Sequence, residues 1–225
     1  MRPYFEFLSA LAKNNHRDWM MANKKWYDET RAEFLDDVAY LIKGLNEFVP
    51  GMDIFKPKDC VFRINRDVRF SKNKDPYKTN FSAYFSPKGK KAPGPGYYIS
   101  LKPGDSMVGG GIWMPEAENL KRIRKEIDYS GAELQAIEED PDFKKNFGKI
   151  NGEKLKTSPR DYDKDHPYIE YLRLKSFTAF TSLEDKDVEN GAYLNKALDA
   201  FRKMVPLNNF LERAIEDVED GSGIL

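Results

Sequence analysis

The sequence predicts an α+β fold, in which a mainly antiparallel sheet is flanked by N-terminal, middle and C-terminal helices. Apolar residues recur with helical spacing near both ends of the chain, and they alternate in the central stretch from about residue 60 to residue 114. Hydrophobic residues make up 40% of the 225 residues and aromatic residues 13%, which is enough for a sizeable core. We therefore expect a single domain that covers residues 1–225.

Two helices are predicted before the sheet. Residues 3–12 place Phe5, Leu8 and Leu11 on one helical face. A long amphipathic helix is predicted over 17–48, because apolar residues keep the helical period until the Val-Pro-Gly sequence at 49–51. At about 1.5 Å per residue this helix would be about 45 Å long, and we expect it to pack on the central sheet.

After residue 57 the period of the apolar residues changes to two, which is typical of a strand. Phe62 and Ile64 fall on one side of this strand, and Arg63 and Arg69 fall on the other. Arg66 interrupts the pattern, so either a bulge turns its side chain outward or the side chain is partly buried against a carboxylate. Further strands are predicted over 79–86, 96–103, 106–114 and 171–182.

Helices are predicted in the remaining segments. The middle of the chain carries helical patterns over 116–128 and 131–147. Two C-terminal helices are predicted within 187–219, separated near Pro206 because proline interrupts a helix.

The charge of the chain is balanced overall but uneven along its length. Lys plus Arg and Asp plus Glu number 37 each, so the net charge predicts neither nucleic acid nor an acidic membrane as partner. Residues 56–102, however, hold twelve Lys or Arg and three acidic residues, an excess of nine positive charges. The sequence has one cysteine, no leader pattern and no apolar run near 18 residues, so we expect a soluble cytoplasmic protein without a membrane partner.

Several motifs resemble an uncharacterised family of bacterial and fungal proteins, domain of unknown function 2461. They are NNHRDW and NKKWY near the N-terminus, FRINRDVRFSKNKDPYKTN in the centre, then GYYISL, GGGIWMP and LRLKSF. The resemblance covers roughly residues 4–215 and implies one soluble domain, but it implies no activity and carries over no catalytic residue. It directs attention to the following motif residues: Asn15, Trp19, Asn23, Lys24, Arg63, Arg66, Asp67, Arg69, Phe70, Pro76, Tyr77, Lys78, Asn80, Gly109, Gly110, Gly111, Trp113 and Lys175.

Three arginines lead the candidate binding site. Arg63 and Arg69 would lie about 20 Å apart on a straight strand, and a bulge near Arg66 would bring them closer. Guanidinium groups suit bidentate recognition of phosphate or carboxylate, which predicts a site for an anion. The alternative is an ion-pair network with Asp67 and with acidic residues from other elements. A third interpretation is that these cations are exposed and unpaired, and all three remain open from the sequence.

A turn at Asp75-Pro76 is expected to present the next candidate residues, Tyr77, Lys78 and Asn80. The lysine would meet a phosphate and the tyrosine would stack on a base, or the segment is only a solvated connection.

Other candidates come from distant parts of the chain. Gly110 and Gly111 belong to a run of three glycines in a predicted strand, which leaves room either for a ligand or for closely packed backbone or a ring. Lys175 would stand beside the arginines if its strand is adjacent. Asn23 lies among aromatic residues on a helix, where it either holds a neighbouring loop or lines a pocket.

These candidates favour the binding of a phosphorylated or other anionic ligand in a basic, aromatic-lined groove. Two alternatives stay open: a nucleic-acid-binding protein, and a protein-interaction scaffold whose arginines are purely structural. No catalytic residue, cofactor or metal site is assigned, because Cys60 is expected to be inert and neither His16 nor His166 has metal-ligand spacing. The acidic cluster at 161–166 is interpreted as a solvated loop rather than a site for a hard cation.

Overall fold

A computed structural model of the chain describes residues 3–216, which form helices around one four-stranded antiparallel sheet and confirm the α+β class. The strands are β1 (Phe81–Phe85), β2 (Gly96–Leu101), β3 (Ser106–Ile112) and β4 (Phe177–Leu183), in the spatial order β1-β2-β3-β4. The helices are α1 (Pro3–Lys13), α2 (Arg17–Ala22), α3 (Lys24–Asn46), α4 (Pro57–Cys60), α5 (Ala117–Glu139), α6 (Pro141–Phe147), α7 (Ile169–Leu172), α8 (Asp185–Asn190) and α9 (Tyr193–Ile215), with a 3₁₀ turn at Met52–Ile54.

The chain divides into two compact units. Among the described residues, unit 1 comprises 3–92, 96–110 and 180–203, and unit 2 comprises 93–95, 111–179 and 204–216. Strands β3 and β4 and helix α9 each contribute residues to both units.

Aromatic side chains build the core of unit 1. The Phe81 ring at the start of β1 stacks on Phe34 of α3, with 5.4 Å between the ring centroids, and on Phe7 of α1 at 6.4 Å. On the same side of the sheet, Phe85 and Tyr97 both pack against Phe201 of α9. Because these residues bury their rings, they supply much of the apolar area that stabilises the unit.

A buried carboxylate links three helices of unit 1. Asp37 of α3 accepts hydrogen bonds through Oδ2 from the hydroxyls of Tyr4 of α1, at 3.0 Å, and Tyr193 of α9, at 2.7 Å. Both tyrosines are fully buried and Asp37 is nearly so. Hydrogen bonds to a buried charged acceptor are stronger than those between neutral groups, so this cluster fixes how the three helices pack.

The alternation of side chains gives the sheet an inner and an outer face. Ala83 of β1 pairs with Ile99 of β2, and both are fully buried on the inner face. Tyr84 pairs with Tyr98 on the outer face, where both rings remain partly accessible. The outer face of β1 and β2 therefore borders the candidate site described below.

Unit 2 is held together mainly by helices α5 to α7. Gly131 of α5 allows Tyr168 to approach so closely that a Cβ atom at residue 131 would lie 2.1 Å from the ring. The Arg124 guanidinium donates to the carbonyl oxygens of Leu172 and Leu174, which fixes the chain that leads into β4.

The strand predicted over 62–70 is wrong. Residues 61–80 form no regular strand and make only the isolated bridges of Val61 with Ala83 and of Asn65 with Tyr77. The Asp67 carboxylate accepts a hydrogen bond from the Arg69 backbone N–H, and such local bonds compete with the pairing of extended strands.

The predicted helix over 17–48 is interrupted at Asn23, which separates α2 from α3. The Asn23 side chain donates to the carbonyl oxygen of Trp19, a local bond that ends α2. Further along, the first half of the strand predicted over 171–182 is wrong, because α7 ends at Leu172 and β4 begins only at Phe177.

Two other helix boundaries also differ from the sequence prediction. The break predicted near residue 130 is a kink at Ser130 within α5, and α6 starts only after Asp140, whose carboxylate accepts from the first backbone N–H groups of α6. Helix α9 continues through Pro206, which lies on the exposed side of the helix. Residues 217–219 of the predicted C-terminal helices lie outside the described residues.

The buried tyrosine cluster predicts the behaviour of the protein at alkaline pH. Burial, together with Tyr4 and Asp37, raises the pKa of Tyr193 above its usual value. Above about pH 10 the unfolded chain loses this proton while the folded protein keeps it, so the free energy of unfolding falls by up to about 1.4 kcal/mol per pH unit. In Tyr193→Phe this fall should be smaller, as measured by urea unfolding between about pH 10 and pH 11.

The matched control for this experiment is Tyr129→Phe, at a tyrosine that is 91% exposed. An equal change of slope in both variants would contradict the assignment of the alkaline instability to Tyr193.

Candidate functional site

Residues 61–80 of unit 1, between α4 and β1, contain most of the predicted site residues. The two ends of this segment are joined by backbone hydrogen bonds from Lys78 to the Ile64 carbonyl, at 2.7 Å, and from Arg66 to the Pro76 carbonyl, at 2.9 Å. These bonds close residues 66–76 into a loop, which we call the basic loop. The segment is therefore ordered without being a strand.

Arg66 holds the basic loop closed. Its Nη1 donates to the carbonyl oxygen of Asp75 at 3.1 Å, and its Nη2 donates to the Ser71 hydroxyl at 3.3 Å. The side chain is half-buried across the loop, so the residue that broke the strand pattern binds backbone and a hydroxyl rather than a carboxylate. Lys74 adds a bond from Nζ to the Val68 carbonyl at 3.0 Å.

Arg69 is paired with Asp67. Its Nη2 lies 2.6 Å from Asp67 Oδ2, and both side chains are largely exposed. The hydrogen bonds from Arg69 lower the pKa of the Asp67 carboxyl, and the charge of Arg63 lowers it further. An exposed pair of this kind contributes little to stability, and it leaves Arg69 with its charge balanced.

Three other predicted residues hold backbone or neighbouring side chains. Tyr77 exchanges two backbone hydrogen bonds with the side chain of Asn15, at 3.0 and 3.1 Å. Asn80 donates through Nδ2 to the Ser100 hydroxyl at 2.8 Å. Asn23 donates to Trp19, so the amides at 15, 23 and 80 all have partners within the fold.

Lys78 and Lys90 lie against the same aromatic ring. The two Nζ atoms are 5.3 Å and 5.2 Å from the centroid of the Phe62 ring. The separation between the two Nζ atoms therefore does not exceed the sum of these two distances. Phe62 is 39% exposed, and its edge meets Tyr98, which in turn meets Phe180 on the outer face of the sheet. We call Phe62, Arg63, Lys78 and Lys90 the two-lysine site.

The two-lysine site gathers positive charge without a balancing ion pair. Burial lowers the pKa of Lys78, and the charges of Arg63 and Lys90 lower it further. Burial also lowers the pKa of Lys90, although its Nζ donates to the Val61 carbonyl oxygen and the charge of Asp59 acts in the opposite direction. Within residues 3–216, neither lysine has a salt bridge to a carboxylate.

Arg63 is the one predicted arginine whose guanidinium makes no hydrogen bond or ion pair to the residues that the structure describes. It is exposed next to Phe62, and its charge acts on both Lys78 and Asp67. Its guanidinium is therefore available to an external anion.

The remaining predicted residues lie near β3 and β4. Gly111 has φ of +103°, and a Cβ atom there would lie 2.0 Å from the Phe177 carbonyl oxygen. The close approach of the neighbouring backbone, rather than a ring, therefore explains the need for glycine at this position, while Gly110 is buried within β3. Lys175 of unit 2 is paired with Glu153, with 2.6 Å between Nζ and Oε1.

Two members of the two-lysine site were not predicted from the sequence as binding residues. The sequence places Phe62 on the apolar side of a strand, and no predicted binding residue lies between β1 and β2, where Lys90 is found. Their meeting depends on the turn between β1 and β2 folding back toward residue 61, for which the linear sequence carries no signal. The local excess of positive charge over residues 56–102 was the only indication that included both lysines.

Metal ligation and nucleophilic cysteine chemistry receive no support from the part of the chain that the structure describes. His166 accepts a hydrogen bond from the Tyr168 N–H through Nδ1, and its Nε2 lies 3.0 Å from Asp128, so both ring nitrogens are engaged. Residues 3–216 contain no group of three or more potential metal-ligating His, Cys, Asp or Glu side chains. Burial raises the pKa of the Cys60 thiol to about 11, which disfavours the reactive thiolate.

The chain belongs to the family described as conserved hypothetical protein (DUF2461), whose match covers residues 3–210. This confirms the resemblance drawn from the motifs. The searches of curated proteins and of solved structures found no match. Over residues 3–216, we find no helix with the length and apolarity needed to span a membrane.

The glycine at position 111 can be tested by substitution. Gly111→Ala should destabilise the protein by more than about 3 kcal/mol, because it adds a clash with the Phe177 backbone to the strain of a positive φ. Gly104→Ala is the matched control, since Gly104 also has a positive φ but has no atom within 4 Å of the new methyl group. Similar losses in both variants, measured by urea unfolding, would show that the close approach is not the constraint.

The role of Arg66 predicts how the basic loop responds to protease. Arg66→Lys keeps the charge but loses the planar fork that reaches both Asp75 and Ser71, so the loop should open more often. Trypsin should then cut within residues 66–76 several times faster than in the unchanged protein, as followed by mass spectrometry. Arg69→Lys, which alters an exposed ion pair and an exposed contact with Phe70, should leave the cleavage rate nearly unchanged.

Proposed function

We propose that the protein binds an anionic ligand, above all a phosphorylated small molecule, at the two-lysine site. The observation that carries this proposal is the placement of two ammonium groups against one half-exposed ring, without a carboxylate partner among the described residues. No reaction is assigned to this function.

The electrostatics of the site supports an anion as the missing partner. Lys78 is partly desolvated and close enough to two other cations for their charges to lower its pKa, which is an unfavourable arrangement in the free protein. At about 4 Å and an effective dielectric constant of about 20, each cation attracts one negative charge by about 4 kcal/mol. A phosphate group between the lysines would therefore offset their mutual repulsion.

The Phe62 ring favours a small ligand over an extended nucleic acid at this site. The negative face of an aromatic ring attracts nearby ammonium groups by about 0.5–1 kcal/mol at exposed positions. The lysines lie close enough to Phe62 for this interaction, so the ring orients the cations and is less accessible for stacking on a base.

Nucleic-acid binding remains the second candidate because of a different residue. Phe70 in the basic loop is 96% exposed and carries the Arg69 guanidinium at 5.8 Å from its ring centroid. An exposed ring beside a cation is a suitable platform for stacking on an unpaired base.

The scaffold alternative is supported by Arg66 and Arg69, because both have partners within their own loop.

Calorimetric titration with phosphate and pyrophosphate at low salt tests the proposal. Lys78→Met and Lys90→Met should each weaken pyrophosphate binding at least tenfold, since each removes one of the charges that surround the anion. Lys72→Met is the matched control, because Lys72 is an exposed lysine of the same segment that lies outside the two-lysine site. Pyrophosphate at about 100 times its dissociation constant should also add about 2.7 kcal/mol of stability.

Two outcomes would contradict the proposal. Equal weakening by Lys72→Met would reduce the binding to a general effect of surface charge. Binding of unrelated oligonucleotides with a steep salt dependence, lost in Phe70→Ala but kept in Lys78→Met, would favour the nucleic-acid alternative.

A further inference from the structure

We propose that Lys78 also acts as a nucleophile, whose amine condenses with the carbonyl group of an anionic aldehyde or keto acid to form an imine. This inference rests on the proposed function, because Lys90 and Arg63 would attract the anionic group of the same substrate. It adds a covalent step and a substrate class to what would otherwise be reversible anion binding.

The surroundings of Lys78 differ from those of the paired lysines in the chain. Lys175 and Lys196 form ion pairs with Glu153 and Asp187, with 2.6 Å between Nζ and a carboxylate oxygen in each pair. The Lys78 Nζ instead lies over the Phe62 ring, and within residues 3–216 it donates no hydrogen bond to an oxygen acceptor. No oxygen acceptor among the described residues therefore stabilises the ammonium form of Lys78.

Three influences favour the neutral amine at Lys78 and oppose the attraction of the Phe62 ring for its ammonium form. The largest is partial burial, followed by the positive charges of Arg63 and Lys90, and all three lower its pKa. A lysine that is desolvated, or that lies next to another cation, is the form that proteins use to attack carbonyl groups, because only the neutral amine has a free electron pair. The contacts of Lys78 and the direction of its pKa shift therefore both indicate this side chain as the nucleophile.

Lys90 is the less suitable nucleophile of the pair. Its Nζ donates a hydrogen bond to the carbonyl oxygen of Val61, which occupies the side chain and stabilises its charge. Burial lowers the pKa of Lys90, as it does for Lys78, but the negative charge of Asp59 acts in the opposite direction. Lys90 is therefore suited to remain charged and bind the anionic group, while Lys78 attacks the carbonyl carbon.

The condensation balances without an oxidant or a further reactant. The neutral Lys78 amine forms a C–N bond to the carbonyl carbon, and the carbonyl oxygen leaves as water with the two amine protons. Hydrolysis of the imine reverses the step and restores the free lysine. If the lysine begins as an ammonium ion, one additional proton passes to the solvent.

Trapping with pyridoxal 5′-phosphate tests this inference, because the compound carries a phosphate group and an aldehyde. The protein would be incubated with the compound at about neutral pH, reduced with borohydride, digested and mapped by mass spectrometry. Lys78 should be labelled at least tenfold faster than Lys72, and this preference should fall when pyridoxal, which lacks the phosphate, is used instead. Excess pyrophosphate should protect Lys78 but not Lys72.

The variant Lys78→Arg separates covalent chemistry from anion binding. Arginine keeps the positive charge but does not lose its proton, so the variant should bind pyrophosphate more tightly than Lys78→Met and form no adduct at position 78. If pyrophosphate binds and Lys78 is labelled no faster than Lys72, the nucleophile is disproved while the anion site stands. If pyrophosphate protects Lys78 no better than Lys72, and the aldehyde labels both lysines at the same rate, both proposals fail.

Discussion

The buried carboxylate of Asp37 is the interaction on which unit 1 most depends. It joins α1, α3 and α9 through the hydroxyls of Tyr4 and Tyr193, and these helices cover the inner face of β1 and β2. Removal of one partner from a buried charge costs more than the hydrogen bond itself, because the remaining group loses its solvation without compensation. These helices cover the inner face of the sheet. Phe62, together with its two lysines, lies against Tyr98 on the outer face.

Charged side chains are paired in the core of unit 1 but not at the two-lysine site. In the core, Asp37 has tyrosine partners, and the nearly buried Asp187 is matched by Lys196. At the two-lysine site, cations are brought together and partly desolvated, with no carboxylate among residues 3–216 to pair them. Structural constraints alone favour pairing, so an unpaired and desolvated cluster of this kind is where a functional site is expected.

The sequence predicted the α+β class, the first helix and strands β1 to β3, because each of these segments has a clear apolar period. It failed where local hydrogen bonds decide the conformation, at Asn23 and over residues 61–80, since such bonds leave the apolar pattern unchanged. The family was also recognisable from its motifs. The charge excess indicated the segment that holds both lysines, but Lys90 reaches Phe62 only through the fold of the β1–β2 turn, which no linear pattern encodes.

The division between the arginines and the lysines of the basic segment follows from their chemistry. A guanidinium offers several donors in a fixed plane, and Arg66 uses them to reach two acceptors across a loop, a task that one ammonium group does not perform. The pKa of an ammonium group instead falls when the group is desolvated or placed near other cations. Lys78 occupies such a position, whereas arginine would remain charged there. Arg66 thus closes the basic loop, whereas we propose that the lysine at position 78 supplies an amine that attacks a carbonyl group.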